Sequence, residues 1–164
     1  ASNTPHNRFA AITKGISMPV LGIFEAVAAE CVRLGVSDML ILGTAPTMDA
    51  PNFADVLARF GVKGFAPTSA EERAKVVALI AELQALRGDD AASRLRSIVD
   101  ASFAPHGRVR TVCLACTELP LAFPGIETES SLVIDGVQYI NTTLIHAQAA
   151  FAAVLAPNDM SPYP

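Results

Sequence analysis

Two segments of this chain, Ser2-Asn3-Thr4-Pro5-His6 and Leu114-Ala115-Cys116-Thr117-Glu118-Leu119-Pro120-Leu121, hold the residue types that could do chemistry at one carbon. Each reads as a junction where a buried strand stops and a helix starts. Each puts a small nucleophile-type residue, Ser2 or Cys116, near a threonine. At a helix start the free backbone N–H groups and the helix dipole favour a carboxylate. The same field favours thiolate over thiol, so the Cys116 pKa is expected to fall from about 8.5 toward neutrality, making it a base or nucleophile. Two such turns suggest half-sites facing each other across a cleft, with Ser2 on one side and Cys116 on the other. Asn3, Thr4 and Thr117 are the candidate carboxylate binders. Gly43-Thr44 forms a third strand-to-helix turn and adds Thr44 as a possible donor. His6 could orient Ser2 or a substrate, and Glu118 could act as a base behind Cys116, although both residue types are also ordinary at helix starts.

The remaining candidates read as structural. Cys113 lies three residues before Cys116 on the same strand, so it points to the opposite face and belongs to the core. Cys31 lies in an apolar helix and reads the same way. Cys113-x-x-Cys116 is a poor redox motif, because such motifs need both thiols at a helix start. His106 and His146 show no metal-ligand spacing, and neither a Walker-type loop nor a dinucleotide fingerprint is present.

The elements that must carry these turns alternate. A helix is expected from Thr4, as N-cap before Pro5, to about Lys14, closing at Gly15. Met18 to Gly22 is a short strand or loop, and Phe24 to Leu34 an Ala-rich helix closed by Gly35. Asp38 to Gly43 is an apolar run without polar alternation, hence a strand buried on both faces. A helix with Pro51 in its first turn ends at Gly61, and Lys63 to Ala66 is a short strand. Ser69-Ala70-Glu71-Glu72 is a capping box opening a long helix through Val76, Ile80 and Leu83. Gly88 ends that helix, and Asp89 or Asp90 caps the next, through Leu95, Ile98 and Val99. Val109 to Cys116 is a second buried strand and Leu132 to Ile140 a final strand region. Thr142 caps a last helix to about Leu155, before an irregular tail with Pro157, Pro162 and Pro164. Alternating strands and helices predict an α/β fold, a parallel sheet with helices on both faces. In such sheets ligands bind beyond the carboxyl ends of the strands, where all three turns lie.

Composition narrows the function classes. Of 164 residues, 51% are hydrophobic and 17% charged, which supports a sizeable core rather than disorder. A formal charge of −4 with scattered Lys and Arg argues against nucleic-acid binding. No apolar run reaches the ~18 residues of a membrane span. Three cysteines, an odd number, argue for reduced thiols in a cytoplasmic protein rather than a disulfide framework.

At its motifs the chain resembles the aspartate/glutamate racemase superfamily, and its aspartate racemase branch most closely. That branch carries Cys-Asn-Thr-x-His at the first turn and Cys-Thr-Glu-x-x-Leu at the second. Here the first reads Ser2-Asn3-Thr4-Pro5-His6, and the second Cys116-Thr117-Glu118-Leu119-Pro120-Leu121. Gly43-Thr44-Ala45-Pro46-Thr47-Met48 is similar to the branch's Gly-Thr-x-x-Thr-Met. Asn141-Thr142-Thr143-Leu144-Ile145-His146-Ala147 is similar to its Asp-Thr-Thr-x-x-His-Ala, with Asn141 in place of Asp.

The resemblance implies two pseudo-symmetric α/β lobes with the site between them, in a homodimer, acting without pyridoxal phosphate or metal. It implies proton removal by one thiolate and reprotonation by a facing thiol, with Asn3, Thr4 and Thr117 holding the substrate carboxylate and Cys116 as one base. The substrate would be a small amino acid or dicarboxylic acid. Residues 18–121 would form the second lobe, and 1–17 with 122–164 the remnant of a first lobe whose upstream part this chain lacks. Ser2 departs from the pattern, standing where the first catalytic cysteine belongs. A hydroxyl is a much weaker acid than a thiol and a poor two-way base, although some broad-specificity relatives carry Thr there. Aspartate-specific members use a Lys in the long helix for the side-chain carboxylate, where this chain offers Gln84 or Arg87. Two alternatives stand beside a racemase. One is a single-cysteine relative, a malonate-type decarboxylase or diacid isomerase. The other is a catalytically silent carboxylate-binding domain.

Overall fold

The computed structural model describes residues 2–107, 109–126 and 128–155. Ala1 and the proline-bearing tail from residue 156, expected as an irregular extension, lie outside the described residues. After a 3-10 turn at Thr4–Arg8 come α1 (Phe9–Ile12), α2 (Ile23–Arg33), β1 (Asp38–Gly43), α3 (Ala45–Asp49) and α4 (Asn52–Arg59). Then follow β2 (Lys63–Phe65), α5 (Ala70–Gln84), α6 (Ala91–Phe103), β3 (Thr111–Ala115), β4 (Ser131–Ile134), β5 (Val137–Asn141) and α7 (Thr142–Leu155).

The strands form one five-stranded sheet in the order β2-β1-β3-β5-β4. β1 pairs in parallel with β2 and β3, and β3 in parallel with β5. β4 runs antiparallel to β5, so the final region read as a single strand is a hairpin. Asp135 and Gly136 both take positive φ, 50° and 77°, the requirement of a tight hairpin turn, and they reverse the chain between Ile134 and Val137.

Apolar side chains cover both faces. Met39 and Ile41 of β1 pack with Cys113, Ala115 and Ile140 under α2, α4 and α7. Leu40 and Leu42 pack with Val112, Leu114 and Tyr139 under α5 and α6. A strand buried on both sides has no solvent face to keep polar, which is why β1 and β3 read as continuous apolar runs. Cys113 and Cys116 fall in these two opposite cores.

The sheet is continuous across residue 121, because β5 bonds directly to β3, with Val112 opposite Tyr139 and Cys113 opposite Ile140. The two ends of the described chain meet: Asn3 Nδ2 donates to Thr142 Oγ1 at 2.9 Å, and the His6 and His146 rings lie edge to face at 5.5 Å.

Several local expectations change for identifiable reasons. The first helix is two short pieces rather than one running to Lys14. Thr4 does not cap it, because its hydroxyl is bound to Thr44 and Thr47 at 2.7 and 3.3 Å. Asn3 already has helical angles, and Arg8 at φ −121°, ψ 23° separates the 3-10 turn from α1. Met18 to Gly22 is a loop. Ser69 caps α5 as expected, accepting from the Glu72 N–H. That helix closes before Gly88, through Leu86 in the left-handed region at φ 55°. Asp90 precedes α6 but lies at φ 57°, and its side chain makes no cap bond.

Candidate active site

The carboxyl ends of β1, β3 and β5 lie at one edge of the sheet, and Thr44, Cys116 and Thr142 follow directly from them. Gly43 ends β1 against β3 so closely that a Cβ in its place would lie 2.7 Å from the Ala115 carbonyl oxygen and 3.2 Å from Thr47 Cβ. Glycine is therefore needed here for backbone approach rather than for a special φ.

Three threonines from two turns converge next to it. Thr4 Oγ1 lies 2.7 Å from Thr44 Oγ1, Thr44 lies 3.1 Å from Thr47, and Thr4 lies 3.3 Å from Thr47. Thr47, at 1% exposure, is the most enclosed. Each hydroxyl brings one hydrogen, so a triangle of three can turn those hydrogens together toward an anion. Thr4 and Thr44 are thus brought together, and Thr47 joins them. Its signal was the spacing Thr44-x-x-Thr47, which puts both side chains on one face of a helix start.

Asn3 is buried at 2% exposure, and the polarity of its hydrogen-bond network is fixed. Thr142 Oγ1 donates its single hydrogen to the Leu114 carbonyl at 3.0 Å, so it can only accept from Asn3. The Asn3 amide nitrogen must therefore face Thr142. Its Oδ1 is left buried without a partner. A buried acceptor in this state calls for a donor. The bonds from Asn3 to Thr142 and from Thr142 to Leu114 tie the first turn to β3 two residues before Cys116. Ser2 itself is exposed, and its main-chain carbonyl accepts from His6 Nδ1 at 2.7 Å.

At the end of β3, Cys116 is 6% exposed and donates its Sγ–H to Glu118 Oε2 at 2.8 Å. Thr117 is exposed and donates to the same oxygen at 2.8 Å. The expected fall in the Cys116 pKa is overturned. Burial, first, and the hydrogen bond to the Glu118 carboxylate, second, push the thiol up to about 12. Backbone N–H groups of Thr117 and Glu118 do pull the other way, but more weakly. The reason lies in the turn: instead of a full helix, β3 leads into a four-residue 3-10 turn, Leu119–Ala122, whose dipole is short. Burial also works to raise the Glu118 pKa, but hydrogen bonds from Cys116, Thr117 and Gln84 outweigh it and hold the carboxyl below its ordinary value. The resting pair is therefore a neutral thiol donating to a carboxylate.

Cys31 and Cys113 are buried, with Cys31 Sγ donating to Met39 Sδ at 3.6 Å. His106 stacks on Phe65 at 3.9 Å, far along the fold from these turns. Among the described residues no group of three or more His, Cys, Asp or Glu could hold a metal ion. Nor is any described helix long and apolar enough to cross a membrane. A groove of about 400 Å³ opens at the opposite, amino ends of the strands, beside Asp38, His106 and Arg110.

The profile of the Asp/Glu/Hydantoin racemase family matches residues 1–150, and this chain belongs to that family. Among solved structures it is similar to an aspartate racemase homologue from Pyrococcus horikoshii OT3, with 27% identity, a TM-score of 0.78, and coverage of 94% of this chain and 65% of that one. A candidate Asp/Glu racemase from Yersinia pestis gives 25% identity and a TM-score of 0.77, covering 94% and 64%. Glutamate racemase RacE1 from Bacillus anthracis shares the fold, with 20% identity and a TM-score of 0.64, covering 94% and 55%. The chain thus spans just under two thirds of the length of the first two.

Proposed function

We propose that this chain carries the proton-transfer machinery of a cofactor-independent amino-acid racemase of the aspartate/glutamate type, with Cys116 as its base. The observation that carries this reading is the thiol of Cys116 on the carboxylate of Glu118, at the end of a strand whose Ala115 carbonyl faces Gly43 next to Thr47 and whose Leu114 carbonyl is tied through Thr142 to Asn3. Thr4, Thr44 and Thr47 would hold the α-carboxylate with their hydroxyls, aided by Thr117. Asn3 Oδ1 would accept from the substrate ammonium, the donor that its orphaned position calls for. Asn3, Thr4 and Thr142 would supply one wall of the site, and Thr44, Thr47 and Cys116 the other.

Glu118 takes the Sγ proton, and the thiolate then removes the substrate α-hydrogen. The electron pair left on carbon spreads into the carboxylate, where the threonine hydroxyls stabilise the growing charge. In the empty site the thiol form dominates, because burial and the carboxylate both oppose thiolate. The substrate ammonium is the positive charge that makes the thiolate accessible. Return of a proton to the opposite face falls to the first turn, where Ser2 is a weak donor and a weaker acceptor.

Exchange of the substrate α-hydrogen in deuterium oxide tests this reading. One enantiomer of aspartate or glutamate is expected to exchange much faster than the other. Equal and fast exchange of both would make Ser2 a competent base and overturn the one-thiol account. Binding with no exchange, even after Ser2→Cys, would point instead to a silent carboxylate-binding domain. Carbon dioxide release from a substituted malonate would point to a decarboxylase.

A further inference from the structure

His146 is not used by the chemistry above, yet it sits directly behind the first turn. Its Nε2 lies 3.1 Å from the Leu21 carbonyl, and its ring meets His6 edge to face at 5.5 Å and 88°. Phe9 stacks on His6 at 5.3 Å and 13°. Phe24 closes the cluster at 5.9 Å from His6.

A carbonyl oxygen can only accept, so the proton positions are determined. His146 must carry its hydrogen on Nε2, and His6 must carry one on Nδ1 to reach the Ser2 carbonyl at 2.7 Å. His6 is thus held in the tautomer that a free imidazole populates less. Holding it there requires a fixed ring, and the packing that fixes it comes from Phe9, stacked on it, and His146, perpendicular to it. Burial, opposed in part by the Leu21 bond, keeps the His146 pKa below its ordinary value, which favours the neutral ring. The same helix, α7, begins at Thr142, which holds Asn3.

We propose that His146 is a positioning residue for the first turn: anchored on the Leu21 carbonyl, its ring sets His6, and His6 Nδ1–H sets the height of Ser2 and Asn3 beside the Cys116 turn. Its value for catalysis rests on the function proposed above, but the mechanical linkage does not. α7 then grips the turn twice, through Thr142 on Asn3 and through His146 on His6, one helical turn apart.

Imidazole and amide nitrogen spectra of the substrate-free protein test the linkage without any turnover, so they can fail independently of the deuterium-exchange assay. In the unsubstituted chain His6 is expected as the Nδ1–H tautomer, and the His6 backbone amide, which donates to the Asn3 carbonyl, as slowly exchanging. His146→Ala is expected to return His6 to a tautomer mixture and speed exchange of its amide at least ~10-fold, while Leu40 and Leu114 stay protected. His146→Gln keeps a donor for Leu21 but no ring, preserves the fold if the alanine variant does not, and is expected to give the same loss. An unchanged His6 tautomer in His146→Ala, or full rescue by glutamine, would overturn the proposal.

Discussion

Replacing Glu118 with glutamine separates two properties of Cys116 that are usually assumed to move together, its reactivity as a free thiol and its activity as a base. The carboxylate accepts the Sγ–H at 2.8 Å and so favours the thiol. A hydrogen bond to a charged group contributes about 1.5–3 kcal/mol. At 1.36 kcal/mol per pKa unit, losing it lowers the Cys116 pKa by about 1–2 units from about 12, leaving it still high because burial, the larger cause, remains. At pH 8 the thiolate fraction therefore rises about 10- to 100-fold. Intrinsic nucleophilicity falls with pKa at a Brønsted slope near 0.45, so the alkylation rate should rise by only about 4- to 12-fold. Exchange of the substrate α-hydrogen should meanwhile fall about 10²- to 10⁴-fold, the usual effect of removing a positioned base. Iodoacetamide labelling followed by peptide mass spectrometry reads the first quantity, with Cys116 expected to label ahead of the buried Cys31 and Cys113. Deuterium incorporation reads the second. Slower or unchanged labelling in Glu118→Gln would refute the account of Glu118 as the proton acceptor. Faster labelling with undiminished exchange would refute Glu118 as the group that takes the Sγ proton during turnover.

Two further outcomes are expected. Gly43→Ala should cost about 1–3 kcal/mol in urea unfolding, because the new Cβ meets the Ala115 carbonyl at 2.7 Å, and it should move the amide signals of Thr47 and Cys116; unchanged stability would mean that β1 and β3 can part freely. Raising the pH from 9 to 11 under reducing conditions should lower stability by up to ~1.4 kcal/mol per pH unit for each buried thiol. The sign follows from Cys31 and Cys116, whose folded pKa values are pushed up to about 12: above the ordinary thiol range the unfolded chain releases protons that the folded chain still holds. Cys31→Ala should reduce that slope by one thiol's share even as it lowers the absolute stability.

How much of this was legible in the sequence varies with the kind of signal. Asp38–Gly43 and Thr111–Ala115 were readable because burial on both faces leaves an unbroken apolar run, and Ser69 because a cap is a local event. The Asp135-Gly136 turn is a lone dipeptide inside an apolar stretch, so in sequence the hairpin resembles one strand. Thr4 looked like a cap, and only the folded chain shows its hydroxyl taken by residues 40 and 43 positions away. The Cys116 pKa failed for a similar reason. A helix dipole depends on neighbours in sequence, whereas the larger cause is burial of the thiol in the core with Leu119, Ala122 and side chains of α5 and α6. Thr142 could not be ranked above any other cap residue until Leu114 and Asn3 were seen on either side of it.

The strand order has a consequence for how such a protein can change over time. β1, β3 and β5 are the three inner strands, and the proposed machinery hangs from their carboxyl ends, while the edges are the three-residue β2 and the antiparallel β4. Substitutions along either border, at exposed Lys63 or Val133 for example, alter what the sheet presents to neighbouring molecules without touching the reacting groups. Substitutions in the central turns alter chemistry without altering the borders. The borders and the central turns are therefore separate sets of residues, so one set can change while the other is kept.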